Sequence, residues 1–104
     1  MKIQVNTDKN FKDTQDFEVF VEEKVGKLLK RFADKITRVE IHFSDQNAQK
    51  NTPDDVYCTI EARVDGLSPV AVTGKSSSRE KALGDAVKKI KAALDTVIGK
   101  LKKK

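Results

Sequence analysis

At 104 residues, with 38% apolar and 36% charged side chains, the chain can enclose one modest core and is expected to form a single domain, 1–104. Its formal charge of +5 is unevenly placed: residues 1–65 carry 11 basic against 13 acidic side chains, whereas residues 66–104 carry 10 against 3. No apolar run approaches the roughly 20 residues of a membrane span. There is no apolar secretory stretch at the N-terminus, and the single cysteine, Cys58, excludes an internal disulfide and fits a reducing, cytoplasmic location.

Lys2-Ile3-Gln4-Val5-Asn6 alternates polar and apolar side chains and reads as a short strand with Ile3 and Val5 toward a core. The polar residues that follow, Thr7 to Asp13, read as a loop. From about Thr14 the period changes. Phe17, Val21, Val25, Leu28 and Phe32 recur at three- and four-residue spacing, one face of a helix, with Phe20 and Leu29 widening the stripe and Asp13 or Thr14 as its cap. Alternation returns at Ile36, with Val39, Ile41 and Phe43 on one side and Arg38, Glu40 and His42 on the other. Asp45 to Asp55 is almost devoid of apolar residues, contains Pro53 and reads as a loop.

Val56, Cys58, Ile60, Ala62 and Val64 then alternate with Tyr57, Thr59, Glu61, Arg63 and Asp65, and Asp65-Gly66 marks a turn. Val70 to Thr73 reads as a fourth short strand, with Pro69 placing its start at an unpaired or edge position. Ser77 and Glu80 have the spacing of a capping box. A long helix follows, with Leu83, Val87, Ile90, Leu94, Val97 and Leu101 as its core stripe; Gly99 weakens its last turns, and a lysine tail at 102–104 is expected to fray.

The order β-α-β-β-β-α, with one apolar face per strand and one stripe per helix, predicts an α+β fold. Its sheet is mixed and four-stranded, and both helices pack on one face, as in double-stranded-RNA-binding domains. The first two strands should run parallel through a helical crossover, and the rest should form an antiparallel meander.

Positive charge gathered on helices fits a polyanion. On the first helix Lys24, Lys27 and Arg31 form a stripe beside the core face, with Lys30 nearby. On the second, Lys81, Lys88 and Lys91 project outward with Lys89 further round, and Lys75 and Arg79 flank its start. If the helices lie side by side, these stripes rim one surface that can meet phosphates and release counterions. For the first helix alone, an ordinary solvated face with Glu23 and Lys27 as an i,i+4 pair is the better reading. For the second, nearly free of acids, phosphate binding is.

Catalytic and cofactor chemistry find little support. His42 is the only histidine, and with Cys58 on the opposite sheet face no His/Cys zinc set can form. Cys58 reads as a small core residue with no base beside it. No glycine-rich phosphate loop is present. The open sheet face offers Tyr57 as its single aromatic, a poor platform for stacking bases, so recognition through the helices is expected. No enzyme activity, cofactor, metal, membrane or small-molecule substrate is expected.

Lys2-Ile3-Gln4-Val5, Val25-Gly26-Lys27-Leu28-Leu29-Lys30-Arg31-Phe32 with Ile36, Val39-Glu40-Ile41, Tyr57 through Val64, Val70 through Gly74, Ala82-Leu83 and Val87-Lys88-Lys89-Ile90 stand in an informative order and spacing. That order resembles the short form of the ribosome hibernation-promoting factor and ribosome-associated inhibitor family across almost the whole chain. The resemblance implies the fold just described and binding to the small ribosomal subunit in its mRNA/tRNA channel. It also implies contact of both helices with rRNA, and repression of translation with protection of idle ribosomes, by a factor that is monomeric off the ribosome. By position Lys27, Lys30 and Lys89 match the family's basic residues. The chain departs from the family pattern at Phe11-Lys12-Asp13-Thr14, at Ser78-Arg79-Glu80 and at Ala93-Leu94. The alternatives left open are a general structured-RNA-binding module and a basic protein-interaction module.

Overall fold

Alternating side chains build a four-stranded sheet from β1 (Lys2–Thr7), β2 (Ile36–Asp45), β3 (Val56–Val64) and β4 (Val70–Ser76), in the spatial order β1-β2-β3-β4. Two helices, α1 (Thr14–Leu28) and α2 (Arg79–Lys102), complete the order β-α-β-β-β-α. The computed structural model describes residues 1–7, 14–45 and 56–102. The Asp13 and Thr14 side chains expected to cap the first helix, the loop at 46–55, the Leu101 side chain and the last lysines lie outside the described residues.

β1 pairs parallel with β2, Ile3 beside Val39 and Val5 beside Ile41. β2 pairs antiparallel with β3, and β3 with β4, Ile41 beside Ile60 and Ile60 beside Val72. Ile36 and Val39 are three residues apart, so strict alternation would send them to opposite faces. An irregularity between Ile36 and Arg38 resets the register, and both side chains are buried. At the β3–β4 connection Gly66 takes φ +80°, a left-handed conformation open to glycine at no steric cost.

One sheet face carries the core: Val5, Val39, Ile41, Phe43, Val56, Cys58, Ile60, Ala62 and Val64 are buried there together with residues of both helices. Each large apolar side chain so buried contributes roughly 1.5–3 kcal/mol. Phe17 of α1 meets Phe43 of β2 edge-on, with ring centroids 5.0 Å apart. Cys58 is fully enclosed, and desolvation pushes its thiol up to about 12, so it packs as a small apolar group.

The helices differ from expectation in detail. α1 ends at Leu28, and a 3₁₀ turn, Lys30–Phe32, follows; this rotates Leu29 fully into the core and leaves Leu28 half-buried. Phe20, expected to widen the core stripe, is 43% exposed instead. β4 continues past Thr73 to Ser76, which delays the start of α2 by a residue. Ser78 rather than Ser77 is therefore the cap: the Lys81 backbone N–H donates to Ser78 Oγ at 3.3 Å. The core stripe of α2 ends on Ile98 rather than Val97, four residues beyond Leu94, and Ala82 and Ala86 broaden it toward the sheet.

Candidate nucleic-acid interface

α1 and α2 run side by side in the same direction, tied near both ends. At their starts the Arg79 guanidinium lies over the Phe17 ring, 4.1 Å from its centroid. Near their far ends Arg31 donates to both carboxylate oxygens of Asp95 at 2.7 Å, across 64 residues of chain. Between these ties α1 covers β1 and α2 covers β3 and β4. An open cleft of about 480 Å³ remains between the helices, lined by Lys27, Leu28, Lys30, Arg31 and Lys91.

Helical geometry explains the lining. Lys24 and Lys27 follow one another up α1, just outside its buried stripe, Arg31 lies in the 3₁₀ turn beyond it, and Gly84, Lys88, Lys91 and Asp95 follow one another up one flank of α2. Lys27 of α1 and Lys91 of α2 face the same cleft. Three ammonium groups, those of Lys27, Lys30 and Lys91, thus line one channel with the Arg31 guanidinium, and Asp95 is held by Arg31 at the channel's end.

The other expected residues go elsewhere. Lys81 is exposed in the first turn of α2, and Arg79 is committed to Phe17. Lys75 points from the open sheet face, its ammonium 5.5 Å from the Tyr57 ring centroid. Lys89 turns to the outer edge of β4, where its ammonium donates to the Thr73 carbonyl at 2.9 Å and meets the Asp85 carboxylate at 3.2 Å. Asp85 also accepts the Lys75 backbone N–H at 3.2 Å. That bond, with the Lys89 ammonium beside it, holds the Asp85 carboxyl below its ordinary value of 3.8. The Asp85–Lys89 i,i+4 spacing was legible in the sequence; the pairing of Arg31 with Asp95 had no sequence signal.

On the open sheet face two arginines are paired with glutamates. Arg38 pairs with Glu40 at 2.8 Å, and Arg63 approaches Glu61 at 3.7 Å. Among the described residues no group of His, Cys, Asp or Glu is arranged to hold a metal ion, and no helix is long and apolar enough to cross a membrane.

A sheet shielded on one face by two parallel helices, with cations lining the seam between them, defines a small α+β domain. The chain belongs to the family described as Sigma 54 modulation protein / S30EA ribosomal protein, which matches residues 4–103, and the family implies a ribosomal partner. Its fold is similar to that of the Thermus thermophilus Protein Y N-terminal domain, with a TM-score of 0.72 at 18% identity, covering 93% of this chain and 99% of that one. It is also similar to a ribosomal subunit interface protein from Coxiella burnetii, with a TM-score of 0.68 at 17% identity, covering 95% and 99% respectively. No curated protein matches the chain at a significant level.

Proposed function

We propose that the chain binds the small ribosomal subunit in its mRNA/tRNA channel through the basic seam between α1 and α2, and thereby represses translation and shelters idle ribosomes. It acts as a non-enzymatic monomer in the cytoplasm. The observation that carries this reading is the convergence of Lys27, Lys30, Arg31 and Lys91 on one cleft between parallel helices. Ammonium and guanidinium groups spaced along a seam neutralise successive phosphates of a folded RNA and release its condensed counterions. On the sheet face, by contrast, Arg38 and Arg63 are each paired with a glutamate.

The test is co-sedimentation with small subunits at two salt concentrations. With about five phosphates engaged, raising salt from about 50 to about 200 mM weakens binding on the order of 10²–10³-fold. Salt-independent binding contradicts the reading. Competition by naked duplex RNA at equal affinity replaces it with a general structured-RNA module.

A further inference from the structure

Phe20 is the one large aromatic side chain among the described residues that the core leaves well exposed, at 43%. Its ring is the outer member of a short aromatic series: Phe43 packs on Phe17 at 5.0 Å, and Phe17 lies 6.1 Å from Phe20 with the rings tilted by 33°. The inner rings are buried and fix the position of the outer one. Lys24 holds its ammonium 5.6 Å from the Phe20 centroid, and a hollow of about 220 Å³ is lined by Phe20, Glu23, Lys24 and Lys27. Lys27 lines both the hollow and the basic cleft.

The site therefore combines a fixed aromatic face, a hollow beside it and the ammonium groups of Lys24 and Lys27 at its margin. Single-stranded nucleic acids are held by that combination: bases stack on an aromatic ring while lysines follow the backbone.

We infer that an unpaired nucleobase of the bound RNA stacks on Phe20, in the hollow beside the ring, with Lys24 and Lys27 on the flanking phosphates. The inference rests on the RNA-binding reading above and adds a contact to the base itself. The Lys24 ammonium is held over the ring by a weak cation–π attraction. Its flexible stem lets it move to a phosphate as the base takes the ring face.

The experiment compares two single-stranded probes of equal length and charge, oligoadenylate and the same strand with abasic sites, by fluorescence anisotropy at fixed salt. The wild-type chain is expected to prefer the base-bearing strand on the order of 5- to 100-fold, the range spanned by one stacked base. Phe20→Ala should lose the preference and Phe20→Trp should keep it, with unchanged circular dichroism because the ring is exposed. Lys27→Glu with Lys91→Glu should weaken both strands equally. Wild type that binds both strands alike or neither, or Phe20→Ala that retains the preference, overturns the stacking contact. Salt-sensitive co-sedimentation with subunits stands or falls separately and reports on the RNA reading alone.

Discussion

Arg31 and Asp95 clasp the two helices across the far end of the cleft, one guanidinium nitrogen reaching both carboxylate oxygens at 2.7 Å. The same guanidinium lies 4.6 Å from the centroid of the Phe32 ring, so the 3₁₀ turn after α1 sets its direction. The clasp joins the helices, and it also pairs one of the cleft's cations with an acid at the cleft's end. Alignment and attraction for phosphate are here in opposition.

That opposition predicts a gain of affinity by substitution. Asp95→Asn removes the acid and releases Arg31 to the seam. Binding to small subunits should tighten roughly 3- to 10-fold near 0.1 M salt, and the salt slope should steepen by about one unit, the effect of one added phosphate contact. Both side chains of the pair are more than half exposed, so its loss should lower stability by only about 0–1 kcal/mol. Salt-titrated co-sedimentation together with urea unfolding reads both quantities.

Charge reversal separates the seam from the rest of the basic surface. Lys27→Glu with Lys91→Glu should weaken subunit binding by more than about 100-fold, because two contacts become repulsions in one channel. Lys75→Glu changes net charge by the same amount per site, but on the open sheet face beside Tyr57. It should leave binding within about threefold of wild type, if steering by overall charge is the sole loss. Equal losses from seam and sheet variants would mean that net charge, not the cleft, determines binding.

The sequence pattern was sufficient for the architecture because burial repeats with a short period. Alternation in β2 and β3 and the recurrence of Phe17, Val21 and Val25 each select one face, and those faces can only close on one another. Placement of individual cations was less legible. Lys88 and Lys89 are adjacent in sequence, yet their directions differ by a 100° helical step, which sends one to the seam and the other to the edge of β4. Ala82 and Ala86 carry little periodic signal because small side chains add little to a hydrophobic stripe. Their role emerges only when α2 is laid over β4.

Gly74 shows what those alanines do. It is buried in β4 directly beneath α2, and an added Cβ would run into the Ala82 carbonyl and the Ala86 backbone nitrogen and come within 2.9 Å of the Ala86 Cβ. Two backbones cannot yield as a flexible side chain does, so Gly74→Ala should destabilise by about 3 kcal/mol, the upper part of the range for overpacking. Gly99 is the opposite case, a helix position with nothing within 4 Å of an added Cβ. Gly99→Ala should stabilise by about 0.5–1 kcal/mol through helix propensity alone. Thermal melts of the two variants should shift in opposite directions.

Asp85 gives the fold an acid-sensitive fastening. Its carboxylate receives the Lys75 N–H at the outer edge of β4 and pairs with Lys89, which in turn donates to the Thr73 carbonyl, so one helix pair satisfies two backbone groups of an edge strand. The folded carboxyl is held below 3.8, so the unfolded chain takes up the proton first as pH falls. The contribution is therefore fully present above the unfolded value and is lost as pH drops through the folded one. In urea unfolding, wild type should exceed Asp85→Asn in stability near neutral pH, and the gap should close as the carboxyl takes up its proton in acid. A gap that persists unchanged at the acid end would show that the carboxylate's charge is not what fastens α2 to the strand.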